Sequence, residues 1–202
     1  MEHKSSPIPR GAVRGAAWGV LFMAFFGTLW ASIGIGGLQG WGSPWVLIAA
    51  IIMGLTLLAC GISLFASAQH LSNQTTEADA RRWKRARLWF GLIFTIEGAA
   101  IGAASAICSA TDRFGLFFPV MAIIVGVHFI PLSTLFQVKT HYVTGLLLCL
   151  LAIFTLLFFP ERVMLEGRQI ITWWLAVGFG SALILWGTGL SIWIAGQRMK
   201  RR

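Results

Sequence analysis

Residues Arg81–Cys108 read RRWKRARLWFGLIFTIEGAAIGAASAIC. The stretch opens on five basic residues, Arg81, Arg82, Lys84, Arg85 and Arg87, and continues as an apolar run interrupted by a single charge, Glu97. About 20 apolar residues in a helix span the ~30 Å hydrocarbon core of a bilayer. Basic residues packed against one end of such a run are a topology signal. A carboxylate in its middle costs a few kcal/mol on insertion scales, so it is expected to have a partner, a water-filled neighbour or a task.

The remainder of the chain repeats this pattern. Of its 202 residues 57% are hydrophobic and 11% charged, and the mean hydropathy is +0.77. A soluble domain of this size could not hide so much apolar surface. Six segments are long enough to span: about Gly15–Gly36, Trp45–Ala68, Leu88–Ser109, Phe114–Phe136, Tyr142–Phe159 and Ile171–Ala195. The connections are short, and the longest, His70–Arg87, is polar and then basic, which fits a helix extension or an interfacial segment. The net charge of +9 lies in clusters between the spans. That distribution argues for contacts with anionic lipid headgroups and against nucleic acid.

Six spans place Lys4, Arg10, Arg14, the Arg81–Arg87 cluster, Lys139 and the basic C-terminus on one side. Arg113, Arg162 and Arg168 fall on the other, offset by Asp112, Glu161 and Glu166. The positive-inside rule then predicts that both termini are cytoplasmic. Trp41, Trp45, Trp173 and Trp174 would mark the outer interface and Trp18, Trp83, Trp89 and Trp193 the inner one, with Trp30 and Trp186 packed between helices. The first span is long for a signal peptide and no small-x-small site follows it, so it is expected to be retained.

Two hairpins echo each other. Gly19-Val-Leu-Phe22 aligns with Gly91-Leu-Ile-Phe94, and Ala50-Ile-Ile-Met-Gly54 with Ala122-Ile-Ile-Val-Gly126, both at an offset of 72. A weaker echo links Gly61–Phe65 with Gly189–Trp193, and the simplest architecture is three related hairpins. At the same offset Glu97 replaces Phe25 and His128 replaces Thr56. Glu97 lies about nine residues from the inner end of its span and His128 about eight from the inner end of the next. At ~1.5 Å per residue an antiparallel hairpin brings them level, where they can pair.

Pro131, three residues after His128, removes a helical N–H and crowds the carbonyl of Val127, which favours a kink. Gly98, Gly102 and Ala106 form a small-residue stripe that would let another backbone approach and would turn Glu97 toward protein. The pair could be structural, a carboxyl hydrogen-bonded to its neighbour. It could instead have a proton- or cation-linked role, since Glu and His together can exchange a proton.

Other chemistry finds no pattern. Cys60, Cys108 and Cys149 lie in apolar runs without metal or disulfide spacing. No zinc, phosphate-loop or intramembrane-protease signature is present, so no catalytic residue, metal or cofactor is expected. His141 reads as an interfacial histidine at a different depth from His128, which argues against haem between them. The glycines Gly178, Gly180, Gly187 and Gly189 of the sixth span fit close helix packing, and such faces are compatible with a homo-oligomer.

The run Val125-Gly-Val-His-Phe-Ile-Pro-Leu132, with Tyr142-Val-Thr-Gly145 downstream, resembles a pattern found in a family of small bacterial multi-span integral membrane proteins with no known activity. His128, Pro131 and Gly145 carry the match. The resemblance implies a multi-pass protein of the bacterial cell membrane and no particular reaction.

The expected fold is an all-α six-helix membrane bundle of repeated hairpins with both termini inside, forming one transmembrane domain. The expected function is a small transporter or channel-like protein centred on Glu97, His128 and Pro131. The alternative is a non-transporting subunit, sensor or regulator that acts through Arg81, Arg82, Lys84, Arg85 and Arg87.

Overall fold

A computed structural model describes residues 10–70 and 77–200; for residues 77–83 and Lys200 it describes the backbone alone. Six helices account for most of the chain: α1 (Arg10–Gly37), α2 (Trp45–Ala68), α3 (Glu77–Ala110), α4 (Phe117–Phe136), α5 (Thr140–Phe158) and α6 (Thr172–Lys200). Each is long and apolar enough to cross a membrane. Helix is the form that satisfies every backbone N–H and C=O within one segment where no water is available. The expected spans fall within one or two residues of the helices at α2, α5 and the end of α4. α3 begins well before its apolar run, so Lys84, Arg85 and Arg87 stand exposed on a helix extension. The side chains of Arg81 and Arg82 lie outside the described residues.

The turns are built by residues in the left-handed region. After α3, Asp112 has φ 54° and the Arg113 N–H returns to the Cys108 carbonyl at 2.9 Å, which closes the helix C-terminus. Gln137 does the same after α4, with φ 55°. Between α5 and α6 the sequence reading missed a feature, an antiparallel hairpin of β1 (Arg162–Leu165) and β2 (Arg168–Ile171). Its two-residue turn is Glu166-Gly167, both at positive φ, as a type I′ turn requires.

α1 and α6 form the central pair. The buried residues of α1 (Val13, Ala17, Val20, Ala24, Gly27, Ala31 and Gly34 among them) recur every three or four positions, the spacing of one helix face. A Cβ on Gly178 would overlap the Gly34 backbone, so α1 and α6 touch main chain to main chain there. α2 covers α1 from one side. α4 and α5 form a second tight pair, in which Gly126 and Gly145 lie backbone against backbone. The two glycines of the Gly-x-His-Phe-x-Pro-Leu and Tyr-x-Thr-Gly runs are therefore one packing contact. α5 joins α6 through a hydrogen bond between the Thr144 and Thr188 hydroxyls, 2.7 Å apart.

α3 is the outermost helix and packs mainly on α4. Its small-residue stripe does not receive another backbone as expected. Among the described residues nothing lies within 4 Å of a Cβ placed on Gly98 or Gly102. On the α1 side, the Phe22 and Phe26 rings reach α3 at Phe94. The two echoing hairpins thus sit in different surroundings, with α1 central and α3 peripheral. Phe25 is 60% exposed while Glu97, its counterpart, is 9% exposed. Trp30 and Trp186 are buried in the core as expected, while Trp18, Trp41, Trp45 and Trp89 are exposed. α4 runs unbroken through Pro131.

Close packing at Gly178 sets a stability prediction. Gly178→Leu should cost ~1–3 kcal/mol or more, because overpacking here meets backbone. The melting temperature of the detergent-solubilised protein should fall. Gly187→Leu, where a Cβ has no neighbour within 4 Å, should leave it nearly unchanged. Equal effects would contradict the packing.

Candidate functional site: a carboxylate–imidazole pair in an apolar cleft

Glu97 on α3 and His128 on α4 sit at equal sequence distance from the turn at Asp112–Arg113. Antiparallel helices of equal rise therefore bring them level. His128 Nδ1 stands 2.5 Å from Glu97 Oε2. Both residues are buried, at 8% and 9% exposure. The approach is an ion-pair contact without hydrogen-bond alignment, because Nδ1 makes no bond of acceptable geometry. Nε2 is also buried and has no partner among the described residues.

Aromatic rings surround the pair. Phe94 meets the His128 ring edge-on at 5.4 Å, and Phe129 lies against its other side at 5.5 Å. Phe22 and Phe26 of α1 reach Phe94 at 5.7 and 6.4 Å. Phe90 extends this cluster with contacts to Phe94 and Phe136.

Beyond the rings a cleft of about 370 Å³ opens between α1 and α3, floored by α4 and by Leu185 of α6. Its walls are apolar, and Glu97, His128 and Ser32 supply its polar side chains. Leu29, on its rim, is 46% exposed, so the cleft faces the surface a bilayer would cover. Gly98 lines it, and the missing side chain there leaves room beside the carboxylate. The cavity that reaches Glu97 is thus lined mainly by apolar side chains.

His141, in the first turn of α5, is buried at 7% exposure, and its ring meets Phe129 edge-on at 5.5 Å. Phe129 therefore packs against both imidazoles. The cause is the close approach of α4 and α5 at Gly126 and Gly145, which turns the first turn of α5 inward. His141 Nδ1 is buried without a hydrogen-bond partner. Thr144, one turn further, carries the hydroxyl contact to Thr188. The i, i+3 spacing of His141 and Thr144 was the available signal that both share one face. Polar contacts thus join α3 to α4 through Glu97–His128 and α5 to α6 through Thr144–Thr188, while Lys84, Arg85 and Arg87 stand on the α3 extension. No cluster of three metal-ligating side chains occurs among the described residues.

A carboxylate and an imidazole in contact can hold one proton between them, and a pair that does so carries no net charge, whichever group has it. Net neutrality makes burial tolerable, whereas removing one partner strands the other. A double-mutant cycle should show this. Glu97→Leu and His128→Leu should each destabilise by ~3–5 kcal/mol. The double variant should be more stable than their sum predicts, by ~0.5–3 kcal/mol of coupling. Additive losses in thermal melts would contradict the contact.

The chain matches no protein-family model, and no curated protein or solved structure shows significant similarity to it.

Proposed function

We propose that this protein is a small proton-linked carrier of a cell membrane, with Glu97 and His128 as its polar centre. One observation supports the reading above the others: a cleft of ligand size reaches a buried carboxylate–imidazole pair whose imidazole retains an unpartnered nitrogen. A pair that served only to join two helices would be sealed by packing. The apolar lining favours a carrier over a water-filled channel, because a continuous aqueous path needs polar walls. In this reading the chain is N-in and C-in, as the basic residues of the terminal side suggest, and His141, behind Phe129, faces the cytoplasmic half. The hairpin echo marks the polar pair as a departure from an apolar template.

A second reading has its own support. α3 carries Lys84, Arg85 and Arg87 exposed on a helical extension, a surface suited to anionic headgroups or an acidic partner. A regulator would act through that face and leave the cleft unused.

Reconstituted proteoliposomes separate the two. With an imposed pH gradient, a set of cationic, neutral and anionic lipophilic dyes should include at least one that wild type moves against its gradient. Glu97→Gln should reduce that flux to the protein-free level, and replacing Lys84, Arg85 and Arg87 by Gln should leave it intact. Undiminished flux in Glu97→Gln would overturn the carrier reading.

A further inference from the structure

We infer that the cleft between α1 and α3 is a binding site for a lipophilic monovalent organic cation, and that the cation displaces the proton held by Glu97 and His128. The inference names the substrate class of the proposed carrier and in that sense rests on that reading, but binding and proton release can be measured without transport.

Three features of the site point to this class. The first is electrostatic. The cleft lies in an apolar setting, where an uncompensated charge is costly. Among the described residues, its titratable side chains are Glu97 and His128. The α1 wall contributes Phe22, Met23, Phe26, Leu29, Trp30, Ser32 and Ile33, and α6 contributes Leu185; none of these titrates. α5 does not line the cleft; its His141 packs on Phe129, which also packs on the His128 ring. A resident pair with one proton is neutral. A cation that arrives beside it restores neutrality by expelling that proton, which leaves Glu97 ionised and His128 uncharged. An anion would require the pair to gain a proton and would meet the carboxylate directly.

The second is the aromatic lining. Phe22, Phe26, Phe94, Phe129 and Trp30 present rings to the space beside the carboxylate. Ring faces attract organic cations, more strongly where water is excluded, and rings combined with one carboxylate select a cation with apolar substituents over a small hydrated one. The third is the route. The cleft faces the bilayer between α1 and α3, and Gly98 leaves an opening: a methyl group added at its Cα would have no described neighbour within 4 Å. An apolar cation partitions into the membrane and reaches the site sideways.

The test uses two ions of the same shape and opposite charge. Purified protein in detergent is titrated with tetraphenylphosphonium and, separately, with tetraphenylborate, in weakly buffered solution with a pH indicator. Tetraphenylphosphonium should bind saturably and release one proton per ion bound. Its affinity should rise about tenfold per pH unit while the pair retains its proton, as linkage requires. Glu97→Gln should abolish proton release. Gly98→Leu, which fills the cleft where there is room for a side chain, should weaken binding while leaving the melting temperature near wild type. Equal binding of tetraphenylborate, binding of the cation without proton release, or unchanged affinity in a folded Gly98→Leu protein would each overturn the inference. Binding with proton release but no flux in proteoliposomes would instead overturn the carrier reading and leave this site standing. Absence of binding beside a proton-linked flux of another dye would do the reverse.

Discussion

Inside a bilayer a polar group has no water to fall back on, and the arrangement around Glu97 follows from that one constraint. A lone carboxylate at this depth would be expelled or neutralised. The contact with His128 Nδ1 gives it a partner, and a carboxylate and an imidazole with one proton between them present no net charge. That contact needs α3 and α4 in register and needs both rings of the aromatic collar, Phe94 and Phe129, to hold the imidazole. It also ties the peripheral helix α3 to the bundle, since α3 makes few other close approaches.

The rest of the bundle serves this arrangement by contrast. α1 and α6 meet backbone to backbone at Gly34 and Gly178, and α4 and α5 do so at Gly126 and Gly145. Those contacts use small residues to remove space. In α3 the glycines have the opposite effect: Gly98 faces no neighbouring backbone, and the volume it leaves becomes part of the cleft. The same residue type therefore seals one interface and opens another, depending on whether a second helix is held close by other contacts. The cleft therefore lies beside the buried carboxylate–imidazole pair.

Much of this was legible in the sequence. Run lengths gave six helices, because a hydrophobic segment of spanning length has few alternatives in lipid. The level of Glu97 and His128 followed from counting residues to a short turn, which works because helix rise is constant. Trp30 and Trp186 were separable from the exposed tryptophans by depth alone. What sequence reading missed depended on tertiary packing. His141 stands near a helix end, and its burial depends on how closely α4 and α5 pack. The β-hairpin of Arg162–Ile171 was too short to stand out beside spans of twenty residues. The stripe at Gly98 and Gly102 carried a packing signal, yet nothing in a single helix says whether a partner will arrive.

The account depends on the Glu97–His128 contact existing in a lipid bilayer. Solid-state NMR on protein labelled with ¹³C-glutamate and ¹⁵N-histidine, reconstituted in bilayers, measures it directly. The account predicts dipolar coupling between the Glu97 carboxyl carbon and His128 Nδ1 at hydrogen-bonding separation, lost in Glu97→Gln. A spectrum in which the His128 nitrogens show no coupling to any glutamate carboxyl carbon would contradict it.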